Sequence, residues 1–485
     1  MSIIATIFYV LLLAGTFILI LTDDSKSSEK IAWAMVLILV PIVGFVLYLL
    51  FGINFRRPQY RQRRHKTALQ KLRDTEDGIL SDLLEGEGCL DEVKEDYRDL
   101  ARLLQRGGAS PVSGGNEVEI LTDGKLKIDM LMDDIRAAKE YIHMEYFYFR
   151  KGESGRKVKE LLMQKAREGV KVRFIYENIA NFDVPPHFYL EMRKAGVEVI
   201  RFTPAMSSLL TIAAKLNYRD HRKIVIIDGR IGYTGGMNIS DDYYNLWRDT
   251  HLRLTGNALA GLQSEFLDAF LTSGGMLSDE DCCTVEGMSR LFPQTATYKE
   301  AHAPTLVQTL PGDPDTQWPF LSMSIEWALY HARDYVCLQT PYLIPPDGVR
   351  EALKAAALRG VDVRLMVPRK ADVSIITPIN RSYFKELMDS GVKIYEKFGS
   401  FIHSKTFVAD DYLSVVGSAN LDYRSLELSY EFNTYIYDTA IAKESRAIFD
   451  GDLTECKQLL PEDWVRIRWY KKLWYDLWRL LSPLL

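Results

Sequence analysis

At 485 residues, with 47% hydrophobic and 26% charged side chains, the chain has a globular composition and room for two ordinary domains plus a smaller piece. Its net charge of −5 leaves the bulk of the chain without the basic excess that nucleic-acid binding needs. The five cysteines (Cys89, Cys282, Cys283, Cys337, Cys456) are odd in number and form no C-x-x-C pair, which argues against a disulfide framework and a zinc site and reads as reduced, cytosol-facing thiols.

In chain order, the first break is apolar. No charge occurs from Ile3 to Leu21 or from Ile31 to Phe51, and each stretch reaches the roughly 20 residues that cross a hydrocarbon core. Residues 1–52 are therefore predicted to form a two-helix transmembrane hairpin. A cleaved signal peptide over 1–22 is the other reading, opposed by the lack of a basic leader and of an A-x-A site. Residues 52–73 then carry eight Lys/Arg and no acid, so the positive-inside rule puts both ends of the hairpin and everything downstream in the cytosol. Residues 53–112 form a connector, basic and then acidic, that ends in Gly and Ser around "RGGASPVSGGN".

Beyond it, apolar β-branched runs such as Val170–Tyr176 alternate with helical stretches such as Glu160–Arg167, a βαβ rhythm that predicts an α/β fold of mixed sheets flanked by helices. The rhythm is duplicated. His221, Lys223 and Asp228 share their spacing with His403, Lys405 and Asp410, and Gly-x-x-Asn tails ending at Asn238 and Asn420 follow. The acids Asp249 and Glu431 stand at matching distances beyond, all at an offset of 182 residues. Upstream, "AAKEYIHMEYFYF" matches "HARDYVCLQTPYL", with Glu145 facing Gln339. Two domains, 113–295 and 296–460, are predicted. The first has an insertion containing "TPAMSSLLTIAAKL", either lipid-facing or a buried loop.

Residues i and i+2 of a strand share a face, so each His points with its Lys while Arg222 and Ser404 point away. Imidazole is a nucleophile for phosphorus and a proton carrier, while Lys and an Asn amide can hold phosphate oxygens. Asp249 and Glu431 are candidates to accept an imidazole N–H and fix its tautomer. No metal and no cofactor are required. Asp228 and Asp410, seven residues along from each His, meet substrate or brace the following turn, and Asn238 and Asn420 bind phosphate or form turns. His143, His187, His251, His302 and His331 lack any partner pattern. The last segment, 461–485, holds Trp464, Trp469, Trp474 and Trp478 among cations, the composition either of an interfacial helix or of a terminal helix packing its Trp residues on the protein.

The pair of H-x-K-x4-D motifs, with "NYRDHRKIVIIDGRIGYTGGMNISDDYY", "VVGSANLDYRSLELSYEFN" and the ending "SPLL", resembles the bacterial cardiolipin synthases of the phospholipase D superfamily over essentially the whole chain. The resemblance implies two tandem phospholipase D-like domains behind the hairpin, with His221, Lys223, Asp228, His403, Lys405 and Asp410 as active-site residues. It further implies phosphatidyl transfer between two phosphatidylglycerol molecules in a bacterial inner membrane, with His221 as nucleophile and His403 as general acid. A hydrolytic phospholipase D shares the site and differs in using water as acceptor. A nuclease of the superfamily lacks support from a basic groove, and a non-catalytic scaffold would not need two complete motifs.

Overall fold

The computed structural model describes residues 3–22, 27–48, 87–108, 110–203, 218–278, 281, 285–293, 305–314, 316–480 and 482. The basic block, the first part of the acidic connector, nearly all of the "TPAMSSLLTIAAKL" insertion, Cys282 and Cys283 lie outside the described residues.

The first repeat contributes β1 (Val112–Leu121), β2 (Tyr141–Tyr146), β3 (Lys171–Tyr176), β4 (Glu198–Arg201), β5 (Lys223–Ile227), β6 (Ile231–Gly235) and β7 (His251–Thr255). The second contributes β8 (Thr305–Gly312), β9 (Tyr335–Gln339), β10 (Leu343–Ile344), β11 (Asp362–Pro368), β12 (Lys393–Lys397), β13 (Thr406–Ala409), β14 (Leu413–Gly417), β15 (Leu421–Asp422), β16 (Glu431–Tyr437) and β17 (Cys456–Leu459). Parallel pairs built on helical crossovers (β2 with β3, β9 with β11) adjoin antiparallel hairpins (β5 with β6, β13 with β14), which makes both sheets mixed. The strand "KIVII" of β5 is buried throughout, as a β-branched run inside a sheet covered on both faces should be.

The expected pair of sheets turns out to be one continuous array of fifteen strands, because β1 pairs with β7 through Glu117–Leu121 and with β8 through Val112–Asn116. A register break between Ser113 and Asn116 lets one strand serve both halves. Beneath this seam lies a core drawn from both repeats, including Ile224, Leu252, Phe266, Val416, Phe432 and Ile436. The helix Glu95–Gly108, within the predicted connector, buries Leu100 and Leu104 in the second repeat's core beside Phe320 and Leu329.

At the amino end, helices span Ile3–Thr22, Ser27–Leu39 and Pro41–Leu47, with Ile20, Leu37 and Tyr48 packed together. Side chains are described only for 13–22 and 30–48, and among the described residues no helix is long and apolar enough to cross a membrane.

Candidate active site

His221 and His403 stand just before β5 and β13, where the chain enters the sheet at the seam between the repeats. Two isolated parallel bridges, Asp220 with Tyr430 and Arg248 with Ile402, cross that seam at equivalent places. The His221 amide donates to the Tyr430 carbonyl at 2.8 Å, and the next residue, Glu431, lies with Oε1 2.8 Å from His221 Nδ1. The His403 amide donates to the Arg248 carbonyl at 2.8 Å, and the next residue, Asp249, lies with Oδ2 2.7 Å from His403 Nδ1. Each imidazole is therefore clamped, backbone and ring, by two consecutive residues of the opposite repeat. Both acids are buried, whereas His221 and His403 keep 19% and 12% of their side chains exposed, enough to meet a ligand. With Nδ1 committed to a carboxylate, Nε2 is the nitrogen left for chemistry.

The lysines share the face of their histidines. Lys223 Nζ donates to the His221 carbonyl, and Lys405 Nζ to the His403 carbonyl while standing 3.1 Å from His403 Nε2. Arg222 and Ser404 turn to the other side, Arg222 into a buried acidic group and Ser404 Oγ to 3.0 Å from Thr250 Oγ1. Burial holds Lys405 down at about 8 and lowers Lys223 as well. His403 is lowered to about 4, first by burial and then by the Lys405 charge. Burial pushes Asp249 and Glu431 up, but Lys405 and His403 around the first, and His221 and Lys223 around the second, leave both below the usual carboxylate range. Lys405 feels Lys223 of the opposite repeat and Glu431, the acid that holds His221, so the two half-sites form one electrostatic unit. Two imidazoles and two lysine side chains thus gather at the seam, a setting suited to a phosphodiester anion. Among the described residues no cluster of three or more His, Cys, Asp or Glu could hold a metal ion.

The structure places Asp228 and Asp410 apart from the histidines with which their spacing groups them. Each closes the far end of its strand, about 20 Å of extended chain from its histidine. Asp228 accepts from the backbone amides of Lys139, Glu140 and Tyr141 at 2.8–2.9 Å. Asp410 accepts from those of Arg333, Asp334 and Tyr335 at 2.8–3.1 Å. Both sit at positive φ, Asp228 with Gly229 and Asp410 with Asp411, so the H-x-K-x4-D spacing measures one strand plus the turn that ends it. Asn238 is likewise engaged: Oδ1 accepts from the Tyr148 amide at 3.0 Å and Nδ2 donates to Tyr243 Oη, itself 3.2 Å from His403 Nδ1. Asn420 Nδ2 donates to Ser425 Oγ at 3.2 Å.

Several neighbours escaped the sequence reading. Tyr243 and Ser425 share the 182-residue offset, a signal that was available. Ser418 Oγ donates to Glu431 Oε2 at 2.5 Å. The Phe147 and His221 rings meet edge to face with centroids 4.4 Å apart, and the Trp247 ring is centred 5.3 Å from that of His403. Of the remaining histidines, His143 and His251 are fully buried in the first repeat, and burial lowers both.

Two copies of one α/β unit joined at paired His-Lys strands define a phospholipase D-like protein. Residues 131–270 and 325–453 match the family described as cardiolipin synthase, PLD-like domain, and residues 4–52 match one described as phospholipase D-nuclease N-terminal. Cardiolipin synthase 2 of Bacillus anthracis is 36% identical over 96% of this chain and 88% of its own length. The major cardiolipin synthase of Bacillus subtilis is 34% identical over 100% of this chain and 99% of its own. A phosphatidylserine synthase of Haemophilus influenzae shares the fold, with a TM-score of 0.58 at 15% identity over 80% of this chain and all of that one. The chain belongs to the bacterial cardiolipin synthase family of the phospholipase D superfamily.

Proposed function

We infer that the chain is a cardiolipin synthase, moving the phosphatidyl group of one phosphatidylglycerol onto a hydroxyl of a second and releasing glycerol. The observation that carries this is the crossed clamp, two imidazoles each fixed by the other repeat's carboxylate beside a lysine, in a chain matched along its length by cardiolipin synthases.

In the first step, His221 Nε2 attacks phosphorus, the bond from phosphorus to the glycerol oxygen breaks, and that oxygen takes a proton from His403. In the second, His403 accepts the proton of the incoming lipid hydroxyl, whose oxygen displaces His221 from phosphorus. Lys223 and Lys405 hold the non-bridging oxygens. An anion seated between them offsets the Lys405 charge that depresses His403, so binding itself raises the basicity of the imidazole that must carry the proton.

The helix Ile3–Thr22 and the pair Ser27–Leu39 and Pro41–Leu47 form the two arms of a membrane hairpin in a bacterial cell membrane, with the catalytic repeats on the cytoplasmic side. Exposed Phe17, Ile18, Leu21, Ile38, Leu39 and Ile42 support that reading, as does the family match over residues 4–52. The domain limits 1–52, 53–112, 113–295, 296–460 and 461–485 belong to the same proposal. Its partners are phosphatidylglycerol and an anionic bilayer, not nucleic acid.

The test is to incubate the purified protein with phosphatidylglycerol in detergent micelles and weigh the products. Cardiolipin with an equivalent of glycerol is expected; phosphatidic acid with glycerol and no cardiolipin would make the enzyme a hydrolase instead.

A further inference from the structure

The carboxy-terminal helix Trp469–Arg479 has two apolar faces, and the protein uses one. Its inner face packs on the helix Ile376–Asp389. Tyr475 Oη lies 3.4 Å from Arg381, Arg479 pairs with Glu386 at 3.0 Å, and Trp478 joins the second repeat's core. The opposite face carries Trp469, Tyr470, Leu473, Trp474, Leu477 and Leu480, which at 100° per residue fill one arc of about 140°. Trp469 is 75% exposed, Leu473 60% and Trp474 50%, although they stand beside a core with room for Trp464 and Trp478. Large apolar surface of this kind marks an interaction site.

The charges around it select the occupant. Arg466, Arg468 and Lys471 are exposed, and from Val465 to Arg479 five Lys/Arg face one acid, Asp476. Tryptophan flanked by cations suits the boundary between headgroups and acyl chains, whereas a second copy of this cationic face would repel the first. The supporting helix also leads to the site. It starts four residues after Asp372, whose carboxylate accepts from Tyr342 Oη at 2.8 Å and acts on the charge of His403 and Lys405.

We propose that the outward face of Trp469–Arg479 docks on the surface of an anionic bilayer, a second membrane contact besides the hairpin, and thereby turns the rim of the His403 half-site toward the lipid. The occupant follows from the helix alone; the orienting role rests on the reading of the substrate as a membrane lipid.

The test reconstitutes the full chain in vesicles of phosphatidylglycerol and phosphatidylcholine doped with a lipid spin-labelled near the headgroup. Quenching of tryptophan emission is compared between the unaltered protein and Trp469→Phe/Trp474→Phe. The emission removed by the double substitution is expected to be the strongly quenched part. Equal fractional quenching in both proteins would overturn the proposal, and so would emission that responds to protein density in the vesicle but not to the label, the mark of a copy-to-copy contact. The orienting role is read with Trp469→Ala/Leu473→Ser/Leu477→Ser, expected to keep its turnover of monomeric short-chain phosphatidylglycerol and lose about tenfold on vesicles. An equal loss on both substrates contradicts it. Failure of the unaltered protein to turn over either lipid would count against the proposed function and leave the quenching result standing.

Discussion

The two catalytic strands carry the same motif on different foundations. Behind His221, Arg222 is buried among acids: Asp220 at 3.0 Å, Glu145 at 3.0 Å, Asp313 at 3.7 Å, and Glu265. Behind His403 the equivalent place holds Ser404, and Gln339 replaces Glu145. The guanidinium there comes from Arg248 of the first repeat, which reaches Ser404 Oγ at 3.1 Å and Asp452 at 2.8 Å. Gln339 completes the group by donating to Asp452 at 2.9 Å. Behind His403 one acid, Asp452, meets Arg248 and also Lys397 at 3.6 Å, while behind His221 one arginine faces several acids, and burial raises Glu145 well above its ordinary value against the pull of Arg222. The duplicated motif preserves the chemistry at the surface of the site and leaves its support free to diverge.

The largest effects should come from the crossed carboxylates. Asp249→Asn and Glu431→Gln are each expected to lower kcat by about 100- to 10,000-fold with little change in KM, because the imidazole loses the partner that orients it. Similar losses from both support equivalent clamps; a loss in one alone would show that a single histidine depends on its carboxylate. The supporting arginines separate the halves next. Arg222→Met leaves several acids buried around one lost cation and is expected to cost about 3–5 kcal/mol, read by thermal unfolding in detergent. Arg248→Met should cost less stability, about 2 kcal/mol, and more turnover, about tenfold, because its guanidinium, bonded to the Asp249 carbonyl, Ser404 and Asp452, steadies the strand end that positions His403 and Asp249. A reversal of that order would break the contrast between the two supports.

Much of the site was legible because its parts recur at one offset. The repeat exposed His221 with His403, Lys223 with Lys405, and Asp249 with Glu431, and period two put each His with its Lys. The crossing of the acids was not legible. His221 and Glu431 stand 210 positions apart and His403 and Asp249 stand 154 apart, and those pairings depend on how the two repeats meet. The shared strand β1 was hidden for the same reason, since nothing local tells a strand that it has a neighbour on both sides. The place of Asp228 was hidden for a different reason. Its fixed spacing arises because a five-residue strand ends in an Asp-Gly turn, and a turn can be as invariant within a repeat as a catalytic group.

That distinction yields a smaller effect. Asp228→Asn and Asp410→Asn should each cost about 1–2 kcal/mol through weakened backbone contacts while the folded fraction keeps its kcat. A hundredfold fall in kcat at unchanged stability would restore these aspartates to the chemistry. The smallest contrast is in pH. His403, lowered to about 4, and His143, lowered to about 3, bind protons more readily unfolded than folded. Their contribution to stability is therefore full above about pH 6.5 and is lost as the pH falls through about 4 and then 3, His403 accounting for on the order of 3 kcal/mol. Unfolding midpoints that fall from pH 6.5 to 4, less steeply in His403→Asn, are expected; a midpoint indifferent to pH in that window contradicts the assignment.

The central claim, that both repeats build one site in which one histidine carries the lipid and the other the proton, is tested most directly by trapping the covalent intermediate. A phosphatidyl ester with a leaving group that needs no proton is offered to His403→Asn and to His221→Asn, and the modified peptide is located by mass. The account predicts a phosphatidyl group on His221 in the first variant and none in the second. An adduct on His403 in the His221→Asn protein, with none on His221 in the other, would contradict it.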